Sequence, residues 1–370
     1  MAKTSRSNPP RARSGADEGE LLIKSDLKPI QPDQLNLDLF ELDPLRDQNF
    51  SNTLEIYDLA GKFRYDKKKK YLKSAAAEDI EFKRVVSYKG EQLDISVTAA
   101  NIERVSKTNG AKQRVFVFPG AREEIIEDVL RKFATERRAQ AYQTANTPAQ
   151  GGHSKFVGLE FTLYEVDKEL RRVGRTYSYP EIEEALEIMH RAFLSIRSAS
   201  EGIDVSAPFF PIMAKANTNK PGDRRLFVCF HPMVTDVTLA LGFRRYNYLK
   251  EFEFQGHYTR LLYKRLCHRW VQAGPGRPYT IMLSTLIDAM KTPAGKLFQD
   301  KVVFEQVLKD LVEKDILARY EATPRKEGKK IVDWQFRLHA SETFSKQMAA
   351  NNKAAEKLTR PRPTQTQRDD

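Results

Sequence analysis

Residues 242–248 read GFRRYNY, placing Arg244 and Arg245 among Phe243, Tyr246 and Tyr248. Paired guanidiniums can hold phosphates, a tyrosine can attack a phosphodiester, and aromatics with arginines can also glue two halves of a fold. The basic series continues through Lys250, Arg260, Lys264, Arg265 and Arg269, opposed only by Glu251 and Glu253. At helical spacing Arg260, Lys264 and Arg265 share a side away from Leu262, Leu266 and Trp270, and that side can follow a row of phosphates. The alternative is a joint between two modules, with the aromatics packed and the arginines paired to a glutamate-rich helix.

Two further sets of residues suit nucleic acid. In the helix expected over 296–314, Phe304, Val307, Leu308 and Leu311 form the core side, and 100° per residue puts Gln299, Val302, Gln306 and Lys309 opposite. Glutamine can pair with adenine edges and lysine with guanine or phosphate. Asp310 and Glu313 lie nearby and oppose this, and an ordinary amphipathic surface helix has the same pattern. Beyond it, RKEGKK holds Arg325, Lys326, Lys329 and Lys330 with Glu327 as the lone acid. Such a hairpin tip can touch the backbone or the minor groove, or it can be solvated turn charge. The helix over 178–192 carries Glu181, Glu183, Glu184 and Glu187, which phosphates repel, so it reads as a packing or dimer helix. Only Arg175, Tyr177, His190 and Arg191 at its ends offer DNA contacts.

A strand-cleaving enzyme would need more. Tyr246, Tyr248 and Tyr263 can be nominated as nucleophiles, but His153, His190, His231, His257, His268 and His339 are isolated, with no pair to hold a metal. No GxxxxGK[ST] phosphate loop occurs. Cys229 and Cys267 make neither a disulfide framework nor a metal-ligand spacing. The expectation is no enzyme activity, no metal and no cofactor.

The whole-chain charge agrees with a polyanion partner. The 370 residues hold 62 Lys+Arg against 50 Asp+Glu, a formal +12, which favours DNA through counterion release. There is no apolar leader, no run of about 18 apolar residues and no lipidation signal, so a soluble cytoplasmic protein without a membrane partner is expected.

These residues need elements to position them. Residues 1–50 and 341–370 are polar and read as disordered tails, and the lysine run YDKKKKYLK reads as a linker. Residues 51–118 read as a strand-rich lead-in, with FKRVVSYKG, QLDISVTAA and QRVFVFPG as strands and YKGE and TNGA as hairpin turns. PGAREEIIEDVLRKFATERRAQA opens a helix with acids first and arginines last, and TANTPAQGGHS is a flexible connection. Within 119–250, strand FVGLEFT leads to a helix stopped by Gly174, a second helix capped by Ser178, and strands FLSIRS and RRLFVCFHP around a long loop. Within 251–340, helix HYTRLLYKRLCHRWVQA, helix STLIDAM, a longer helix with Asp315-Ile316 on its buried side, and a hairpin repeat that order. The fold class is therefore α+β: two tandem winged-helix modules after a strand-rich N-terminal lead-in, between disordered tails.

The stretches NTLEIYDLAGKF, FPGAREEIIEDVLRKFA, LEFTLYEVDKELRRVGRTYSYPEIEEALEIM and GFRRYNYLKEFEFQGHYTRLLYKRL resemble the winged-helix replication initiators of bacterial plasmids and integrative elements. RLLYKRL takes the place of the helix that opens their second module, and the likeness covers roughly residues 50 to 340. It implies sequence-specific binding of double-stranded origin repeats (iterons), with the second module reading bases and the first supplying backbone contacts or a homodimer. It also implies duplex distortion, recruitment of a host helicase or its loader, autoregulation and no activity as an enzyme. A winged-helix repressor and, more remotely, a tyrosine-nucleophile nicking initiator are the alternatives.

Overall fold

The computed structural model describes residues 27–29, 49–65, 71–72, 79–88, 91–105, 110–144, 155–198, 202–216, 220–239, 243–290 and 296–359. The second module follows directly from its apolar spacing. Helix α7 (His257–Arg269) leads to strand β15 (Tyr279–Met282), α8 (Leu283–Met290) and α9 (Leu297–Glu313), then to the hairpin of β16 (Leu317–Glu327) and β17 (Lys330–Ala340). The three strands form one antiparallel sheet in the order β15-β17-β16. Helix, strand, helix, helix and hairpin, with the first strand closing on the last, is a winged helix. Phe304, Leu308 and Leu311 of α9 are buried with Phe336 and Leu338 of β17 beneath them. Gly328, at φ 61°, makes the left-handed turn of the wing that a side chain would strain.

The first module has the same order on a wider frame. Helix α2 (Ala121–Phe133) precedes strands β8 (Ala139–Thr144) and β9 (Lys155–Thr162), then α3 (Leu163–Arg172) and α4 (Tyr179–Arg191). Capping boxes open both α3 and α4: the backbone N–H of Thr162 donates to the Glu165 carboxylate at 2.7 Å, and that of Ser178 to the Glu181 carboxylate at 2.8 Å. The hairpin that follows is β10 (Phe193–Ser198) with β11 (Ile203–Pro208). The expected partner RRLFVCFHP lies elsewhere: β13 (Arg225–Cys229) joins the five-stranded sheet of β9, β8, β12 (Ile212–Lys215) and β1 (Leu27–Pro29). Gly158 on β9 is required there, since a Cβ would lie 2.6 Å from the Phe227 ring.

The lead-in is part of this module rather than a separate unit. Strand β4 (Glu81–Tyr88) pairs with β5 (Glu91–Thr98) in the expected hairpin, and β5 then pairs with β10. The wing is thereby extended to the order β11-β10-β5-β4. β6 (Ala100–Val105) and β7 (Lys112–Val117) form the second expected hairpin, with β3 (Tyr71–Leu72) on its edge. Burial drives the merger: Leu93, Ile95 and Val97 of β5 and Leu194 and Ile196 of β10 face one core.

Two further expectations change. The C-terminal region expected to be disordered forms α10 (Glu342–Thr359), anchored by buried Phe344 and Met348. Residues 360–370 and most of 1–50 lie outside the described residues, as do 66–70 of the lysine run and 145–154 of the proposed connection. Leu27–Pro29, inside the segment expected to be disordered, pairs with β8. If α10 is integral to the core, Phe344→Ala will lower unfolding free energy by about 3–5 kcal/mol. Urea denaturation checks this; a loss below about 0.5 kcal/mol, as for a surface site, would make α10 dispensable.

Candidate nucleic-acid interface

The expected outward face of α9 is outward: Gln299, Val302, Gln306 and Lys309 are all exposed. So are all four cations at the tip of the wing, Arg325, Lys326, Lys329 and Lys330, with Glu327 among them. The two groups are held in one frame. Lys301 of α9 sits 4.4 Å over the Trp334 ring of β17 while its ammonium contacts Glu305 at 2.7 Å. Asp333 of β17 accepts from the Ser284 hydroxyl at 2.6 Å and from its amide, fixing the start of α8 to the wing.

The acids of α9 are disposed unevenly along its length. From Leu297 to Lys309 the only carboxylates are Asp300, which is buried, and Glu305, half-buried against Lys301. Asp310 and Glu313 fall in the last turns. Asp315 does not face the core as expected: it is exposed with φ 57°, reversing the chain so that buried Ile316 can donate to Leu311.

Helix α7 contradicts the phosphate-row expectation. Arg260, Lys264 and Arg265 are buried, not solvent-facing. Arg260 donates to Glu124 at 2.8 Å, and Lys264 lies 2.7 Å from Asp128 and 2.9 Å from Glu251. Both partners at 124 and 128 are on α2, one turn apart, matching the four-residue spacing of the two cations. Arg265 is buried without these contacts, and its Nε–H has no hydrogen-bond partner. The reason for the error is geometric: α7 is enclosed on more than one side, so the side away from Leu262 meets α2 rather than water.

The same seam continues into α1 (Glu55–Leu59) and the residues after it. Arg131 of α2 pairs with Asp58 at 2.5 Å, Lys62 reaches Glu127 at 3.2 Å, and Tyr57 donates to Glu127. Burial would raise the Asp58 carboxyl, yet Arg131, Lys62 and Lys264 together hold it well below its ordinary value. Glu251 behaves oppositely: burial, reinforced by Asp128, outweighs Lys264 and pushes it up to about 8. The contacts join five carboxylates (Asp58, Glu124, Glu127, Asp128, Glu251) to four cations (Lys62, Arg131, Arg260, Lys264), so a proton on Glu251 balances the seam. His257, at its edge, stacks on Tyr65 at 3.7 Å and is lowered to about 4 by burial.

GFRRYNY lies in this joint. Strand β14 (Phe243–Asn247) pairs with β2 (Phe50–Leu54), placing Arg244 opposite Thr53 and Arg245 opposite Asn52. Both arginines are half-buried, and the Arg245 guanidinium lies 4.6 Å from the Phe50 ring. Asn351 of α10 donates to the Arg245 carbonyl, so the C-terminal helix clasps the strand. Tyr246, Tyr248 and Tyr263 are fully buried, with burial pushing each hydroxyl far above its ordinary value. None of the three has the access or the acidity a nucleophile needs.

On α4, Glu184 pairs with Arg104 and Arg122, and Glu183 with Arg224, so the acids that phosphate would repel serve packing. Its end residues are engaged too: His190 contacts the Phe210 carbonyl at 2.7 Å and Arg191 pairs with Glu187. Sequence reasoning missed Phe298, Val303 and Ile331, all exposed. The wheel arithmetic that turns Gln299 outward also turns Phe298 outward, but an apolar type draws no notice as a surface residue.

The seam makes two expectations. Lys264→Ala leaves Asp128 and Glu251 buried without their cation and should cost about 3–5 kcal/mol in urea denaturation, most of it recovered in Lys264→Met/Asp128→Asn. A loss under about 1 kcal/mol in the single variant would remove Lys264 from the seam. Glu251 has its folded value raised above its unfolded one, so the folded chain binds the extra proton between them. Its contribution is full below about pH 4.5 and is lost as pH rises through about 8. Glu251→Gln should therefore flatten the pH dependence of stability over that window and be the more stable protein at pH 9; parallel profiles would contradict this.

No protein-family model matches the chain, and no curated protein matches it. Among solved structures it is similar in shape to domains 2 and 3 of RctB, at 10% identity and TM-score 0.46, over 77% of this chain and 97% of that one. A second structure of RctB domains 2–3 aligns at 11% identity and TM-score 0.40, over 80% and 99%. The Pi initiator protein, solved in complex with iteron DNA, aligns at 12% identity and TM-score 0.40, over 60% and 91%.

Proposed function

We propose that the chain is a replication initiator that binds repeated sites in double-stranded DNA at an origin, distorts the duplex and assembles host replication proteins on it. One arrangement supports the DNA-binding part of this reading. The stretch of α9 before Asp310, whose acids are buried Asp300 and half-buried Glu305, carries amides and Lys309 outward beside a wing tip bearing four exposed cations. In a helix-turn-helix the N-terminal part of the second helix meets base edges while flanking cations hold the backbone. Here Asp310 and Glu313 would sit at the far end, away from the groove floor. Arg260, Lys264 and Arg265 of α7 take no part, because they are buried inside the joint. The nicking alternative loses its nominated nucleophiles to the same joint, and initiation is proposed to proceed without strand cleavage.

Footprinting on DNA flanking the chain's own gene tests the reading. Protection of several direct repeats beside an AT-rich segment is the expected result, whereas a single promoter palindrome would make the protein a repressor. For the wing, Lys329→Ala/Lys330→Ala should weaken binding evenly across sequences and reduce the slope of log K against log salt by up to about 2. Unchanged affinity would exclude the wing tip from the interface.

A further inference from the structure

We infer that Phe298 and Val302 of α9 read the C5-methyl groups of thymines, so that the sites this chain prefers carry thymine where these two side chains face the major groove. The inference rests on the reading that α9 enters DNA. Phe298 is 69% exposed, Val302 52% and Val303 40%, three large apolar residues on one short helical stretch, with Ile331 at 38% near the wing tip. Isolated surface apolar residues need no explanation, but three within six positions of one helix do.

The occupant follows from what surrounds them. Phe298 and Val302 are one turn apart, and Gln299, Gln306 and Lys309 share their exposed face. Apolar and hydrogen-bonding side chains thus interleave along a face about 16 Å long. The major groove presents the same alternation: thymine methyls beside the donor and acceptor edges of adenine and guanine. On this part of α9 Asp300 is buried and Glu305 is half-buried and paired to Lys301, and Arg325, Lys326, Lys329 and Lys330 stand at the tip of the adjoining wing. That charge pattern complements a polyanion. Among the described residues nothing buries this patch, although Phe304, Leu308 and Leu311 on the opposite side are fully packed. The helix can therefore lose an outward side chain without losing its core.

The test uses full-length protein and duplexes enriched from a random-sequence pool. The enriched duplex is resynthesised with deoxyuridine replacing thymidine one position at a time, which deletes only the methyl. At one or two positions the substitution should weaken binding about 3- to 10-fold, the range for one buried methyl. Val302→Ala or Phe298→Ala should show the same loss on the thymidine duplex and no further loss with deoxyuridine. An enriched site indifferent to deoxyuridine at every position overturns this inference and leaves the DNA-binding reading standing. So does a penalty that persists undiminished in both variants. A change of sedimentation in the variants with DNA affinity and methyl sensitivity intact would assign the patch to a protein contact instead. A pool that yields no enriched sequence overturns both readings. Thermal unfolding unchanged in the variants, as their exposure requires, separates lost contact from lost fold.

Discussion

The organisation of the molecule depends on a helix that is buried on every side while half its residues are charged. One face of α2, Ile125, Ile126, Val129, Leu130 and Phe133, fills the core of the first module. The other, Glu124, Glu127, Asp128 and Arg131, is also removed from water. An unpaired charge there would cost several kcal/mol or more, so each needs a partner at close range. The lead-in supplies Asp58 and Lys62, and the second module supplies Arg260 and Lys264. Pairing across the joint therefore fixes the register of both modules: a slip of α7 by one residue would strand two carboxylates at once. Apolar packing against α7 alone would tolerate such a slip far better, because it is not directional.

This use of charge redistributes what a formal +12 suggests. Three of the cations that look available for phosphate in the sequence, Arg260, Lys264 and Arg265, are enclosed between modules, and Glu183 and Glu184 of α4 are matched by Arg104, Arg122 and Arg224. Among the described residues the wing of the second module then carries four exposed cations within six positions, next to a helix whose acids before Asp310 are buried Asp300 and half-buried Glu305. Net charge governs attraction to polyanions at a distance, but which surface meets the polyanion is decided by which cations the fold consumes.

How much of this was readable from sequence depended on whether one element or two decided the outcome. The core side of α9, its outward Gln299, Val302, Gln306 and Lys309, the cap at Ser178, and the hairpins at 88–91 and 105–112 are set by local spacing, and they stand where the spacing put them. Arg260, Lys264 and Arg265 were misplaced because a helical wheel knows one buried side, whereas α7 is enclosed by α2 as well. The pairing of β10 with β5 and of β13 with β9 joins segments far apart in the chain, which alternation alone cannot assign. Helix α10 is polar along most of its length and is held by Phe344, Met348 and a few amides such as Asn351, too sparse a pattern to separate from a tail. GFRRYNY was readable as a joint, but its clasp from α10 was not.

The two modules share an order of elements but not an openness. In the second, β15 closes the three-stranded sheet and leaves the β16–β17 tip projecting with its turn at Gly328. In the first, β5 pairs along β10 and β4 continues the sheet, so the hairpin is built into a wider surface. Its second helix is tied down as well, through Glu184 to the lead-in residue Arg104 and to Arg122 of α2. A recognition helix must enter a groove about 12 Å wide, with its side chains free to meet base edges. Helix α4 is held by partners on two neighbouring elements, whereas α9 keeps its outward face bare. The physical asymmetry between a braced first module and an open second one is thus already present in which helix the ion pairs claim.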